Sequence, residues 1–143
     1  MKTSARRLVE QFYYEVWNNA DEAVAREILH PDFQFRASLG SETHGLDGFL
    51  DYMRSIHTAL ARYECIIEDL IESDSREAAR MQFKGGHQSS FFGVPATGRE
   101  IVWTGAAFFT IDRGLITKLW VLGDIDAIKE QLTESQSSSL WNR

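Results

Sequence analysis

Apolar residues fall four apart at Leu8, Phe12 and Val16, and Val9, Tyr13 and Trp17 lie beside them. That spacing predicts an amphipathic helix over 4–17. Asn18-Asn19-Ala20-Asp21 ends it and supplies a cap for a second short helix, Glu22 to Leu29, which Pro31 stops. Phe33 to Arg36 reads as a brief strand and Gly40 to Thr43 as a loop. Gly45-Leu46-Asp47-Gly48 leads into a third helix, Phe49 to Leu60, with Phe49, Met53, Ile56 and Leu60 on one stripe.

Beyond Leu60 the pattern changes from helical to strand-like. Tyr63 to Glu72, Glu77 to Phe91, Ile101 to Ile111 and Leu115 to Leu122 each read as strands. Ser73-Asp74-Ser75 and Asp112-Arg113-Gly114 read as turns, and Gly93 to Gly98 as a loop. A short helical run, Ile125 to Leu132, closes the pattern. Three helices followed by a long antiparallel run predict an α+β fold, with the helices on one face of a curved sheet. A single domain over 1–132 and a Ser-rich tail over 133–143 follow, with Leu140 and Trp141 as residues that can dock the tail.

Alternation within the strands assigns their faces. In Glu77 to Phe91 the more apolar side carries Ala79, Met81, Phe83, Gly85, His87, Ser89 and Phe91, so His87 points inward unless a bulge intervenes at Gly85-Gly86. The strand Ile101 to Ile111 is apolar on both sides, with Ile101, Trp103, Phe109 and Ile111 opposed by Val102, Ala106 and Phe108. A strand of that kind is covered on both sides. The expectation is a homodimer through the outer face of the sheet, and a monomer with a larger core is the alternative.

Composition narrows the class. Of 143 residues, 43% are hydrophobic, so the chain is globular, and a formal net charge of −6 argues against nucleic acid and anionic membrane as partners. The single cysteine, Cys65, leaves no internal disulfide and fits a cytoplasmic location. No apolar run approaches the roughly 20 residues of a membrane span, and no signal-type apolar core follows the N-terminus. A membrane partner is therefore not expected.

Asp124 is the first candidate for chemistry. It ends the apolar run Ile116 to Gly123, directly before the last helical run. A carboxylate at the end of a strand facing a cavity is poorly solvated, which raises its pKa and makes it a usable proton shuttle. An exposed helix N-cap explains the same position. His87 is the second candidate, either a core histidine satisfied by a carbonyl or a partner to Asp124. His44 is placed to rim a cavity. His30 reads as structural and His57 as a surface or edge residue. The aromatic set is large, and Tyr13, Trp17, Phe35, Phe83, Trp103 and Trp120 are candidate lining for a pocket taking a flat, apolar ligand. No histidine pair has zinc-ligand spacing, and no glycine-rich phosphate loop or Gly-x-Ser-x-Gly motif occurs, so neither metal nor cofactor is expected.

The stretch Gly86-His87-Gln88-Ser89-Ser90-Phe91-Phe92-Gly93-Val94-Pro95-Ala96-Thr97-Gly98-Arg99 resembles the signature strand and loop of the SnoaL-like polyketide cyclases. Asp112-Arg113-Gly114-Leu115-Ile116, then Trp120, Asp124, Gln131 and Leu132, resemble that family's ending in residues and spacing. Tyr14-Glu15-Val16-Trp17-Asn18 and Leu29-His30-Pro31-Asp32-Phe33 are similar to its opening, and the likeness covers about residues 5–132. The resemblance implies an NTF2-like cone: a bent antiparallel sheet wrapped with helices around an apolar pocket, often dimeric. It also implies intramolecular aldol ring closure of a polyketide ester without metal or cofactor, with Asp124 as acid and base and His87 polarising an oxygen or steadying the carboxylate. The chain departs from the pattern at Thr110, fourteen residues before Asp124, where some cyclases place a histidine.

Three activities fit these residues. One is a cofactor-independent cyclase or isomerase on a small apolar ester or ketone. A second is a module that binds a hydrophobic ligand without turning it over. The third is a steroid-isomerase or epoxide-hydrolase type of enzyme, which needs a second carboxyl or an Asp-Arg-Asp set in the pocket, with Asp32, Arg36 and Asp69 as candidates if they face inward.

Overall fold

One strongly curved, unclosed sheet of six strands organises the chain. The computed structural model describes residues 5–133. Helix α1 (Ala5–Gln11) runs on into a π-helical turn, Phe12–Trp17, followed by α2 (Glu22–Ile28), β1 (Leu29–Arg36), β2 (Glu42–His44) and α3 (Leu46–Ala59). Strands β3 (Leu60–Ser73), β4 (Arg76–His87), β5 (Glu100–Asp112) and β6 (Leu115–Gly123) follow, and α4 (Ile125–Thr133) ends the described chain. The strand order is β2-β1-β6-β5-β4-β3. The α+β class and the helices packed on a curved sheet are as the sequence predicts. The expectations for the Ser-rich tail, including Leu140 and Trp141, lie outside the described residues. No helix among the described residues is long and apolar enough to cross a membrane.

Several local expectations need correction. The first strand is not brief, and Pro31 lies inside it rather than stopping α2, whose C-cap is the extended Leu29. Glu42 and Thr43 are not loop but part of β2, paired to β1. The sheet is not wholly antiparallel, because β1 pairs parallel to β6. These three errors have one source. Strand β1 is held by β6, far away in sequence, and β2 is held only by β1, so pairing and not local pattern makes both strands. The second strand stops at His87, and Gly85-Gly86 carries no bulge against β5, since Gly85 faces Ile101 and Gly86 faces Glu100. The irregularity is on the opposite edge. Between Ala61 and Glu64 strand β3 has an extra residue, where Arg62 has a positive φ of 54°.

Face assignment by alternation holds along the central strands. Ile101, Trp103, Ala107, Phe109 and Ile111 of β5 are buried on the concave face, beside Ala79, Met81, Phe83 and His87 of β4. The stripes of the first helical segment and of α3 close that face, with Phe12 at the centre. Its ring meets Tyr13, Phe33, Phe49 and Phe109 at centroid distances of 5.0, 6.2, 5.6 and 5.7 Å. The hairpin joining β5 to β6 turns on Arg113 and Gly114, both at positive φ (52° and 78°), which suits a tight two-residue turn.

The convex face is different. Ile71, Phe108, Trp120 and Leu122 remain 63%, 47%, 45% and 51% exposed on it. Register aligns Ile71 with Ala78, Ala78 with Phe108, and Phe108 with Trp120, so most of them form one apolar row across four strands.

Gly105 locks the sheet to the concave core. A Cβ built there would stand 2.8 Å from the Leu122 carbonyl oxygen and 2.8 Å from Phe83 Cε2. Backbone on one side and a packed ring on the other leave no room to adjust. Gly105→Ala is expected to lower stability by about 1–3 kcal/mol, measured by urea unfolding. A change within about 0.5 kcal/mol would show that Phe83 moves freely.

A candidate active site in the concave hollow

The first helix is what brings chemistry to the concave face. Its π-helical turn buries Phe12, Tyr13, Val16 and Trp17 together. The wider turn lets Asn18 N–H donate to the Tyr13 carbonyl at 3.0 Å, five residues back. Single π-turns inside helices recur at functional sites because they turn a side chain out of register. Here the result is that Tyr13 faces Phe83 and Phe109 at 6.5 and 5.8 Å between ring centroids.

These groups line a narrow hollow between sheet and helices. Tyr13, Trp17, Phe35, Phe83 and Trp103 all contribute to its wall. Phe12, Ala37, Ser38, Leu39, Tyr52, Ile56, Tyr63 and Val121 complete it. The free volume is about 20 Å³, close to what a single water needs. Any larger occupant must displace wall side chains. Ser38, Leu39 and Tyr52 are only half-buried and mark the side nearest solvent.

Two expected lining residues are elsewhere. Trp120 is outward because alternation along β6 buries Leu119 and Val121 instead, and its ring stacks under the Arg36 guanidinium at 5.2 Å. His44 is exposed on β2 and shares an outer groove with Trp120 and Gln34. Tyr52 and Tyr63 are the aromatic members of the wall that the sequence did not single out as lining, besides Phe12. A signal existed for both. Tyr63 and Cys65 alternate with Glu64 and Ile66 along β3, and Tyr52 lies one turn from Phe49 on the buried side of α3.

The two candidate acid–base residues do not meet in the hollow. Asp124 is exposed, and its carboxylate Oδ1 accepts from Ala127 N–H at 3.1 Å. It is the N-cap of α4, with its own N–H donating to the Thr104 carbonyl at 3.0 Å. The expectation of a desolvated carboxylate is thus corrected: Asp124 follows β6 on the outer-facing parity and serves the helix end. His87 is fully buried, as alternation predicts, but both ring nitrogens are occupied. Nδ1 accepts from Thr97 N–H at 3.2 Å and meets Thr97 Oγ1 at 2.9 Å, while Nε2 faces the Val94 carbonyl at 3.1 Å. That pattern fixes the tautomer with the proton on Nε2 and pins the 88–99 loop to β4. Asp32 and Asp69 are exposed, and Arg36 donates to the Val121 carbonyl at the sheet surface, so no Asp-Arg-Asp set enters the hollow. Thr110 is half-buried on the outward parity of β5. Among the described residues no three His, Cys, Asp or Glu side chains gather as a metal site needs.

What the wall of the hollow does contain is phenol, from Tyr13, Tyr52 and Tyr63, and the buried Cys65 thiol lies behind it, outside the lining. Burial is the main cause in every case. It pushes the Tyr13 phenol well above its ordinary value, with the Cys65 sulfur adding to the effect. Tyr63 is pushed up well above that value too, by burial and then by Cys65, Tyr13 and Tyr52. Tyr52 is raised by burial alone, and the Cys65 thiol is raised by burial and then by Glu64. Two polar atoms in this wall, Tyr13 Oη and Trp103 Nε1, are buried and have no hydrogen-bond partner among the described residues.

The raised groups set a pH dependence. An unfolded chain loses thiol and phenol protons from about pH 8.5 to 10, whereas the folded chain holds them. The unfolded state then binds fewer protons. Stability is fully present below about pH 8.5 and is lost as pH rises through the folded values. Urea unfolding is expected to give a stability that is flat from about pH 6.5 to 8 and falls above about pH 9, with a smaller fall in Tyr63→Phe. Phenolate absorbance of three tyrosines should rise only with loss of the native circular dichroism. Their ionisation in a still-native protein would contradict the buried placement.

The chain's likeness to known proteins agrees with this architecture. Residues 7–132 match the family model described as SnoaL-like polyketide cyclase. A provisionally assigned SnoaL-like polyketide cyclase from Jannaschia sp. CCS1 superposes with a TM-score of 0.83 at 17% identity, covering 94% of this chain and 99% of that one. TsrD from Streptomyces laurentii gives 0.80 at 24% identity, over 90% of this chain and 93% of that one. IdmH from Streptomyces antibioticus, provisionally a polyketide cyclase, gives 0.81 at 21% identity, over 92% of this chain and all of its own 100%. At these identities the superpositions speak for the fold, which is NTF2-like. No curated protein matches the sequence. A match to the family model over nearly the whole of the described chain, on the curved sheet and aromatic hollow just described, makes this protein a member of the SnoaL-like polyketide cyclase family.

Proposed function

We propose that the protein is a cofactor-independent cyclase that takes a small apolar ester or ketone into the concave hollow. The observation that carries this reading is the hollow itself, an aromatic wall with isolated hydrogen-bond donors, in a chain of this family. Ring closure of the aldol type needs one proton removed from a carbon between two carbonyls. The carbanion then attacks a ketone within the same molecule, and the new alkoxide takes a proton back. Proximity imposed by a tight wall accounts for much of such a rate.

Asp124 is the candidate base in this proposal. Its carboxylate must leave Ala127 N–H to reach a substrate. Gly123, the residue before it, offers no side chain to obstruct that turn. It already abuts the hollow's wall, because a Cβ there would stand 2.8 Å from Ser38 O and 3.3 Å from Trp103 Cδ1. A second reading, binding without turnover, is favoured by one observation: among the described residues the wall contains no Asp, Glu, His, Lys or Arg. The family membership also leads us to read the protein as a homodimer through the convex face, where Phe108, Trp120 and Leu122 stand exposed side by side. A patch that is apolar suits a second copy of itself better than an ionic partner.

Asn caps a helix about as well as Asp, so Asp124→Asn isolates the chemistry from the fold. Deuterium uptake in heavy water by an aryl β-ketoester carrying a second ketone, followed chromatographically for ring closure, is the assay. The variant is expected to keep its stability within about 0.5 kcal/mol and to lose uptake by roughly 100-fold or more. Uptake retained in Asp124→Asn removes Asp124 as base. No uptake by the unmodified protein on any member of a substrate panel leaves the binding reading in place.

Sedimentation tests the assembly. The unmodified chain is expected to be a dimer at micromolar concentration, and Phe108→Glu a folded monomer. A monomer in the unmodified protein rejects the interface.

A further inference from the structure

We infer that Tyr13 Oη–H and Trp103 Nε1–H form a two-donor seat for one carbonyl oxygen of the ligand. The inference rests on the hollow being the ligand site, and it does not depend on turnover. Tyr13 is 2% exposed and Trp103 3%, and neither polar atom has a partner among the described residues. Both residues line the same hollow. They flank one ring, Phe83, which meets Tyr13 at 6.5 Å edge-on and stacks on Trp103 at 5.2 Å. Phe83 is itself fixed, since β4 pairs it directly with Trp103 and Gly105 abuts its edge.

Buried donors are almost always paired in folded proteins, because an unpaired one forfeits its hydrogen bond to water. Within the protein these two donors have no acceptor, and the hollow they line has room for about one water, so they are left to a small acceptor that enters it. The seat asks for an acceptor with two lone pairs and no proton of its own, which a ketone or ester carbonyl supplies and a hydrocarbon does not. Both donors stay protonated. The indole N–H does not titrate, and burial holds the Tyr13 phenol in its neutral form. The same two donors would strengthen their bonds to an oxygen that gains negative charge, as an enolate does. A carboxylate ligand is the poorer candidate, because a wall without cations leaves its charge uncompensated.

The test pairs acetophenone with α-methylstyrene, which replaces C=O by C=CH2 at nearly the same shape. Affinities are measured by titration followed in ¹H–¹⁵N spectra, with the Trp103 indole signal assigned by its loss in Trp103→Phe. The ketone should move that indole signal downfield and the alkene should not. The ketone-to-alkene ratio of affinities should fall about tenfold in Tyr13→Phe, the loss of one hydrogen bond. Tyr13→Phe should also fold at least as stably as the unmodified protein, since it removes a hydroxyl with no partner. A purely structural hydroxyl predicts the opposite, a loss of stability with the ratio unchanged. Both probes binding with an unaltered ratio overturns the two-donor seat and leaves the hollow as a ligand site. Neither probe binding overturns the seat together with the hollow.

Discussion

Everything on the concave face depends on how the first helical segment meets the sheet. Phe12 packs against rings from β1, α3 and β5 at once, and the π-helical turn that carries it brings Tyr13 and Trp17 to the same side. An α-helix presents a stripe, and a residue next to the stripe lies about 100° away around the axis. Burying two adjacent large aromatics, as at Phe12 and Tyr13, asks for a wide cover. The curved sheet supplies it, because its strands wrap past the helix instead of lying flat beneath it. The same wrapping leaves a narrow hollow where rings cannot fill the curvature.

That hollow carries a cost and hints at its use. Each unpaired buried donor is worth about 1–3 kcal/mol against folding, and a domain of this size is stable by only about 5–15 kcal/mol. Two donors without a partner inside the protein weigh against that margin unless an acceptor enters the hollow, and the dense aromatic packing around Phe12 works in the opposite direction. Groups that destabilise a fold in one place are expected where function needs them. The carboxylates of the chain show the contrasting case. Those nearest the hollow in sequence are outside it, capping helices or facing water.

Much of this was legible in the sequence, and the reasons differ by element. The stripes at Leu8, Phe12 and Val16 and at Phe49, Met53 and Ile56 are strong periodic signals, and their burial follows directly. Alternation along Glu77–Phe91 placed Phe83 and His87 inward because β4 keeps a continuous ladder to β5 as far as Gly86. Trp103 followed by the same logic on β5. Trp120 and His44 lie outside the hollow because strand parity, and not aromatic or imidazole character, decides which face a side chain takes. The parallel pairing of β1 with β6 was not readable at all, since a partner more than eighty residues away leaves no local trace. Nor was the difference between a strand-end carboxylate that is dry and one that caps a helix, because both read as apolar run, aspartate, helix.

The residues that make the chain recognisable as a family member mostly hold its joints together. His87 ties the Val94–Thr97 loop to β4 through both ring nitrogens. Gln131 reaches from α4 to the Val102 N–H and carbonyl at 2.8 and 2.7 Å, beyond the point where β6 stops pairing with β5. It thereby occupies an open strand edge with a side-chain amide, which offers one donor and one acceptor as a peptide group does. Asp124 starts the helix that carries Gln131. A likeness carried by positions of this kind speaks for architecture. Alone it says little about the reaction. The wall of the hollow is written in a different set of residues, Tyr13, Phe83 and Trp103 foremost, and it is there that one member of the family can differ from another without disturbing the frame.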